Sequence, residues 1–209
     1  MLKNCDGVAF DHAIVKVIIC YTDGLKFDGL KQRLSVSDDD IKTAARFADE
    51  KDRVSHLISA YFKRKYVGEW TVDSFGKPQG SRGFFNVSHC NGIVAIALSD
   101  SEVGIDAENV RSADRSLVEY VSDNKELPFV DSDEDFFRLW TAKESLAKAQ
   151  GEGLKKSLKK IPAFPFEGEK KYKGESYFSR QLKDGDFIIT VVRKGKTPFS
   201  IDIDRENLL

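Results

Sequence analysis

Asp106 and Glu108 stand two residues apart in Val103-Gly-Ile-Asp-Ala-Glu108, and Glu144 stands in Trp140-Thr-Ala-Lys-Glu-Ser145. The first segment alternates, with Val103, Ile105 and Ala107 on one side of a strand and Gly104, Asp106 and Glu108 on the other. The two acids therefore point the same way. Glu144 falls on a helix whose neighbours are mostly apolar, a costly place for a carboxylate without a partner. Brought together, the three repel as anions, and a hard divalent cation with oxygen ligands is their natural partner. Such a centre suits chemistry on a phosphate or pyrophosphate.

Taken singly, each feature has an ordinary reading. Polar residues alternate on any strand with one face in water. Glu144 and Lys148, one helical turn apart, form a common ion pair. Gly151 and Gly153 suffice to end a helix, and Lys155-Lys-Ser-Leu-Lys-Lys160 reads as a solvated loop.

Several elements are needed to position these acids. Ala13-Ile-Val-Lys-Val-Ile-Ile-Cys20 is strand-like, and Ser37-Asp-Asp-Asp40 has the form of a helix start. Val54, Leu57, Ile58, Tyr61 and Phe62 recur at helical spacing, which predicts an amphipathic helix over about 49–66, ended by Gly68. Gly76-Lys-Pro78 and Gly80 mark a loop. Phe84-Phe-Asn-Val-Ser88 and Gly92-Ile-Val-Ala-Ile-Ala-Leu98 are strands, the second apolar throughout and so central. The strand of Asp106 follows at once. Helices are expected near 114–123, with Leu117, Tyr120 and Val121 as its apolar side, and over 133–150. Two strands flank Asp184-Gly185 as a two-residue hairpin, and Phe199-Ser-Ile-Asp-Ile203 adds a last one. The similar order of elements in the two halves hints at a duplicated architecture.

Composition limits the partners. A net charge of -1 over 209 residues gives no global field for nucleic acid. No apolar run approaches the roughly 20 residues that cross a bilayer, so no membrane partner is expected. The N-terminus lacks an export signal's apolar region. Three scattered cysteines (Cys5, Cys20, Cys90) form no disulfide framework, which fits a reducing cytoplasm. Three dispersed histidines propose no zinc site.

The order of the whole set narrows the reading. Arg53, Gly76-Lys-Pro78, Phe85-Asn-Val-Ser-His89, Gly104-Ile-Asp-Ala-Glu108 and Trp140-Thr-Ala-Lys-Glu-Ser-Leu-Ala-Lys-Ala-Gln-Gly-Glu-Gly-Leu154 follow one another. This series resembles the 4′-phosphopantetheinyl transferases, most closely the longer, Sfp-type branch that serves secondary metabolism. The matched core runs from about 46 to 154. The resemblance implies an α+β fold, a pseudo-twofold pair of similar α/β subdomains. The first, 1–101, would be the coenzyme A-binding half, and the second, 102–209, would carry the metal site and dock the carrier protein.

The implied reaction moves the 4′-phosphopantetheine arm of coenzyme A to a serine of an apo acyl or peptidyl carrier protein. It releases adenosine 3′,5′-bisphosphate. The same resemblance makes Asp106, Glu108 and Glu144 ligands of Mg²⁺, with Mn²⁺ an alternative, and Glu144 also the base for the serine hydroxyl. Lys148 and Lys143 would sit by the pyrophosphate, Ser88 and His89 against phosphate, and Arg53 on the 3′-phosphate. Phe75, Gly76, Lys77 and Pro78 would border the adenine. The chain departs from the family at Asp38-Asp-Asp-Ile-Lys-Thr43, where a basic pair is common, leaving Lys42 and Arg46 nearby. A monomer is expected, because the length holds both halves. The competing readings are another Mg²⁺ enzyme that cleaves the coenzyme A pyrophosphate and a carrier-binding relic without turnover.

Overall fold

Apolar and polar residues are sorted into four layers by the periods of their elements. The computed structural model describes residues 14–72, 78–81, 83–151 and 158–209. The first sheet holds β1 (Ile14–Tyr21), β2 (Trp70–Val72), β3 (Pro78–Gly80), β4 (Gly83–Cys90), β5 (Ile93–Ser99) and β10 (Ser200–Arg205), in the order β10-β1-β5-β4-β3-β2. The second holds β6 (Val103–Asn109), β7 (Gly168–Tyr172), β8 (Glu175–Asp184) and β9 (Phe187–Lys194), in the order β6-β9-β8-β7. This is the expected mixed α+β architecture. β10 runs parallel to β1, so the chain's last strand returns to the sheet built by the N-terminal elements.

β5 is buried along its whole length, as its unbroken apolar run predicts for a central strand. Its two faces serve two cores. Val94, Ile96 and Leu98 pack under α3 (Glu50–Phe62) with Leu57, Ile58 and Phe62. Ile93, Ala95 and Ala97 meet Ile105, Ala107, Ile189 and Val191 between the sheets. Outside the second sheet, Ile188 and Val192 pack on Phe136, Leu139 and Leu146 of α5 (Asp133–Gln150).

The helix ends follow their local chemistry. Ser37 forms a capping box with Asp40 at α2 (Asp38–Ala44), and Ser132 forms one with Asp135 at α5. Gly151 closes α5 at φ 85°, a left-handed conformation that glycine adopts without a side-chain penalty. The helix expected over 49–66 ends as α at Phe62 and continues as a π-helical turn over Lys63–Val67.

Several details differ from the sequence expectation. Pro78–Gly80, expected in a loop, forms β3 and pairs with β2, which was not foreseen. A short helix α1 (Phe27–Arg33) and strand β7 were not foreseen, because Phe27 and Leu30 are the only buried residues of α1 and β7 is an edge strand with just one buried side chain. The β8–β9 turn is Gly185-Asp186, one residue later, since Asp184 pairs with Phe187. In α4 (Arg115–Val121) the buried residues are Val118 and Val121, while Leu117 and Tyr120 face outward.

Gly104 shows why β6 and α5 fit so closely. A Cβ there would lie 2.1 Å from the Ser145 carbonyl oxygen and 2.5 Å from the Ala149 nitrogen, both backbone atoms of α5. Neither atom yields by rotating a side chain, so Gly104→Ala must push the helix from the sheet. We expect a loss of about 3 kcal/mol or more in chemical denaturation, at the upper end for overpacking. Unchanged stability would show that α5 can shift freely.

Candidate active site

The alternation of β6 gives its residues opposite duties. Ile105 and Ala107 enter the core between the sheets, while Gly104, Asp106 and Glu108 turn toward α5. α5 is fixed in register by polar pins on Thr190, which lies opposite Asp106 on β9. The Thr141 and Thr190 hydroxyls are 2.7 Å apart, and Ser145 Oγ donates to the Thr190 carbonyl at 2.8 Å. Gln181 Nε2 donates to Thr190 Oγ1 at 2.9 Å. These buried contacts set the axial position of α5, and with it Glu144 and Lys148.

Asp106 is 5% exposed and Glu144 is 4% exposed. Lys148 Nζ donates to Asp106 Oδ1 at 2.7 Å, to Ser88 Oγ at 3.1 Å and to the Ile105 carbonyl at 3.1 Å. Ser88 Oγ donates to the same Asp106 oxygen at 2.9 Å. Asp106 Oδ2 and Glu144 Oε1 are buried without a hydrogen-bond partner among the described residues. Burial, then the charge of Asp106, pushes the Glu144 carboxyl up to about 7, against the opposing pull of Lys148. Burial also raises Glu108, whose carboxylate pairs with Arg111 at 2.9 Å.

The structure thus brings Asp106, Glu108, Glu144, Lys148 and Ser88 into one site. Two orphaned carboxylate oxygens, both hard donors in a buried place, fit a hard divalent cation. The three acids are not already arranged as ligands, for no such group occurs among the described residues. Asp106 Oδ1 is taken by Lys148, and Glu108 leans to Arg111.

The other sequence-designated residues fall in different places. Lys143 does not reach the acids. It is fully buried, its ammonium 2.7 Å from Glu126 Oε2 and donating to the carbonyls of Leu158 and Ile161. The residue lies next to Glu144 in sequence, but the helical turn of about 100° per residue sends it to another side. Its role here is to tie α5 to the loop at 158–161. His89 faces α3 rather than the acid side, since Ser88 and His89 alternate on β4. It borders a cavity of about 540 Å³ with Asp49, Lys51, Asp52, Ser55 and Cys90. Arg53 is not on that lining; it donates to the Ala48 carbonyl at 2.8 Å and stands 3.7 Å from Glu50. Arg46 is exposed. Phe75, Gly76 and Lys77 lie outside the described residues, and Pro78 begins β3.

Sequence reasoning missed Glu126 and Asn86. Glu126 holds Lys143 and accepts from the amides of Asp123 and Ala163. Asn86 Oδ1 accepts from the Ile105 amide at 3.0 Å, across from one sheet to the other. The alternation of Asn86 with Ser88 was the available signal.

The acids lie within a segment that known proteins share. Residues 102–192 match the 4′-phosphopantetheinyl transferase superfamily. The chain is 29% identical over 137 residues to the 4′-phosphopantetheinyl transferase gsp of Aneurinibacillus migulanus, covering 57% of this chain and 58% of that protein. It is 38% identical over 88 residues to the 4′-phosphopantetheinyl transferase AcpT of Salmonella typhi, covering 36% and 46%. With the 4′-phosphopantetheinyl transferase psf-1 of Bacillus pumilus it shares 32% over 85 residues, covering 38% and 36%. The matches thus span roughly a third to three-fifths of these relatives' lengths. The superfamily match contains Asp106, Glu108, Glu144 and Lys148, so the acids and the lysine bonded to Asp106 fall in the shared part. Among the described residues, no helix is long and apolar enough to cross a membrane.

Proposed function

We propose that this chain transfers the 4′-phosphopantetheine arm of coenzyme A to a serine of an apo acyl or peptidyl carrier protein. The observation that carries the reading is the buried pair Asp106 and Glu144 with half-buried Lys148 against it, each acid keeping one carboxylate oxygen without a partner among the described residues, inside the segment shared with the superfamily. On this reading Asp106, Glu108 and Glu144 hold Mg²⁺ or Mn²⁺. The bound cation would supply charge stabilisation to the pyrophosphate as its anhydride bond breaks.

The chain's own groups have distinct tasks. Lys148 is the described cation nearest the acids and offsets charge on the leaving phosphate. Glu144, raised by its burial, accepts the serine proton directly or through water. Ser88 orients Lys148 and Asp106. Lys51 and His89 are the basic groups on the cavity beside α3, opposed there by Asp49 and Asp52. Arg53, Phe75, Gly76, Lys77 and Pro78 complete the proposed coenzyme A contacts. The proposed division of labour gives coenzyme A to residues 1–101 and the acids and carrier docking to 102–209, although residues 200–205 pack with the first half. A monomer suits this reading, because one chain supplies both sheets, and a cytoplasmic setting suits its free Cys20 and Cys90.

Mass spectrometry of a panel of apo carriers, incubated with the protein, coenzyme A and Mg²⁺, tests the reading. A mass gain equal to the phosphopantetheine arm is expected. Cleavage of coenzyme A without a carrier would instead favour a pyrophosphohydrolase.

The carrier is proposed to dock over about 110–124. Leu117 and Tyr120 are 38% and 69% exposed on α4, which follows directly from the acid strand. Arg111, Arg115 and Lys125 stand nearby to steer an acidic partner, an effect that salt weakens. Leu117→Asp and Tyr120→Asp are expected to raise KM for the carrier roughly tenfold, about the loss of one apolar interface contact. KM for coenzyme A should stay within about twofold, since neither side chain lines the acid site. Folded variants with wild-type carrier kinetics would move the docking surface elsewhere.

A further inference from the structure

We propose that Asn86 is a positioning residue for the acid site, acting with Ser88 as a side-chain ladder that replaces the missing strand beside β6. Among the described residues β6 is the terminal strand of its sheet, so the backbone groups facing away from β9 need other partners. Asn86 Oδ1 accepts from Ile105 N at 3.0 Å, and Ser88 Oγ accepts from Ala107 N at 3.3 Å. Lys148 Nζ takes the Ile105 carbonyl at 3.1 Å. Both pairs are spaced by two residues, so the ladder has the repeat of a strand pairing and locks one register. Asp106 lies between the two tethered amides.

The chemistry of Ser88 makes this coupling tight. Its hydroxyl has one donor and two acceptor positions. All three are used, toward Asp106 Oδ1, from Ala107 N and from Lys148 Nζ. A sliding β6 would break these bonds together. Asn86 opposes that sliding one step along the strand without touching Asp106, Glu144 or Lys148 in any recorded bond. It therefore acts through the strand rather than on the reactants. The inference rests on the acid-site reading above.

The test is a Mn²⁺ titration followed by electron paramagnetic resonance, with and without coenzyme A, beside a transfer assay. Asn86→Leu keeps the approximate shape and removes the acceptor. It is expected to weaken Mn²⁺ binding about 10- to 100-fold, the range for groups that orient metal ligands. The kcat should fall similarly while KM for coenzyme A changes less than about threefold, and Asn86→Asp, which keeps the acceptor, should restore most of the Mn²⁺ affinity. Should Asn86→Leu fail to fold, Asn86→Gln displaces the acceptor by one methylene, and a weakened Mn²⁺ affinity there supports the proposal. Wild-type Mn²⁺ affinity in a folded Asn86→Leu or Asn86→Gln protein would overturn it, as would a wild-type protein that binds no Mn²⁺. If the wild type binds Mn²⁺ but modifies no carrier, the transfer reading fails, and the variants' Mn²⁺ affinities still decide the role of Asn86.

Discussion

Asp106→Ala is expected to cut transfer on the order of 10³-fold, the scale of removing a charge that organises a reacting centre. Coenzyme A should bind nearly as before, because its proposed contacts on the first sheet and α3 survive the change. The variant loses a buried carboxylate whose Oδ2 has no partner among the described residues, and it strips Lys148 and Ser88 of their common acceptor. Asp106→Asn separates these effects. The amide oxygen still accepts from both donors, so stability should recover further than turnover does. Calorimetry for coenzyme A and a transfer assay for rate give the comparison. Wild-type turnover in Asp106→Ala, or turnover of the unaltered protein in excess EDTA, would rule out the metal role of the acids.

Glu144→Gln should remain slow even at saturating Mg²⁺. The amide keeps the side chain's shape in a buried place, yet it is a poorer ligand and accepts no proton. If Glu144 only holds metal, raising Mg²⁺ restores much of the rate. If it is also the base, a deficit on the order of 10²-fold or more persists. The variant also removes the repulsion between Glu144 and Asp106 that helps raise the Glu144 carboxyl. Its folded form should therefore be at least as stable as the parent near pH 7 without metal. A thermal melt checks that point independently of catalysis. Full recovery of rate by added metal would leave Glu144 as a ligand and refute its role as base.

Both predictions were reachable because local rules carried the first steps. The two-residue period of Val103–Glu108 put Asp106 and Glu108 on one side of a strand, and the period of 133–150 made a helix of the segment holding Glu144 and Lys148. The unbroken apolar run of β5 announced a central strand, and Ser37-Asp-Asp-Asp40 announced a helix start. These depend on backbone geometry that repeats within a few residues, so the sequence by itself determined them.

Contacts between distant segments required the tertiary structure. The family resemblance put Lys143 beside the pyrophosphate with Lys148, whereas helix rotation and the buried charge of Glu126 draw it to the segment at 158–161. Leu117, Tyr120 and Val121 looked alike as apolar residues, but packing into the cluster that holds Val130, Phe136 and Leu158 chose Val118 and Val121 for the core. Asn86 gave no local sign of its partner, which is the Ile105 amide 19 residues away on the other sheet. The sequence named the acids, and their convergence came from Gly104 admitting α5 against β6 and from β4 side chains fixing the edge of that strand. A period specifies which side of its own element a residue occupies. Only the packing of elements far apart in the chain decides what that side meets.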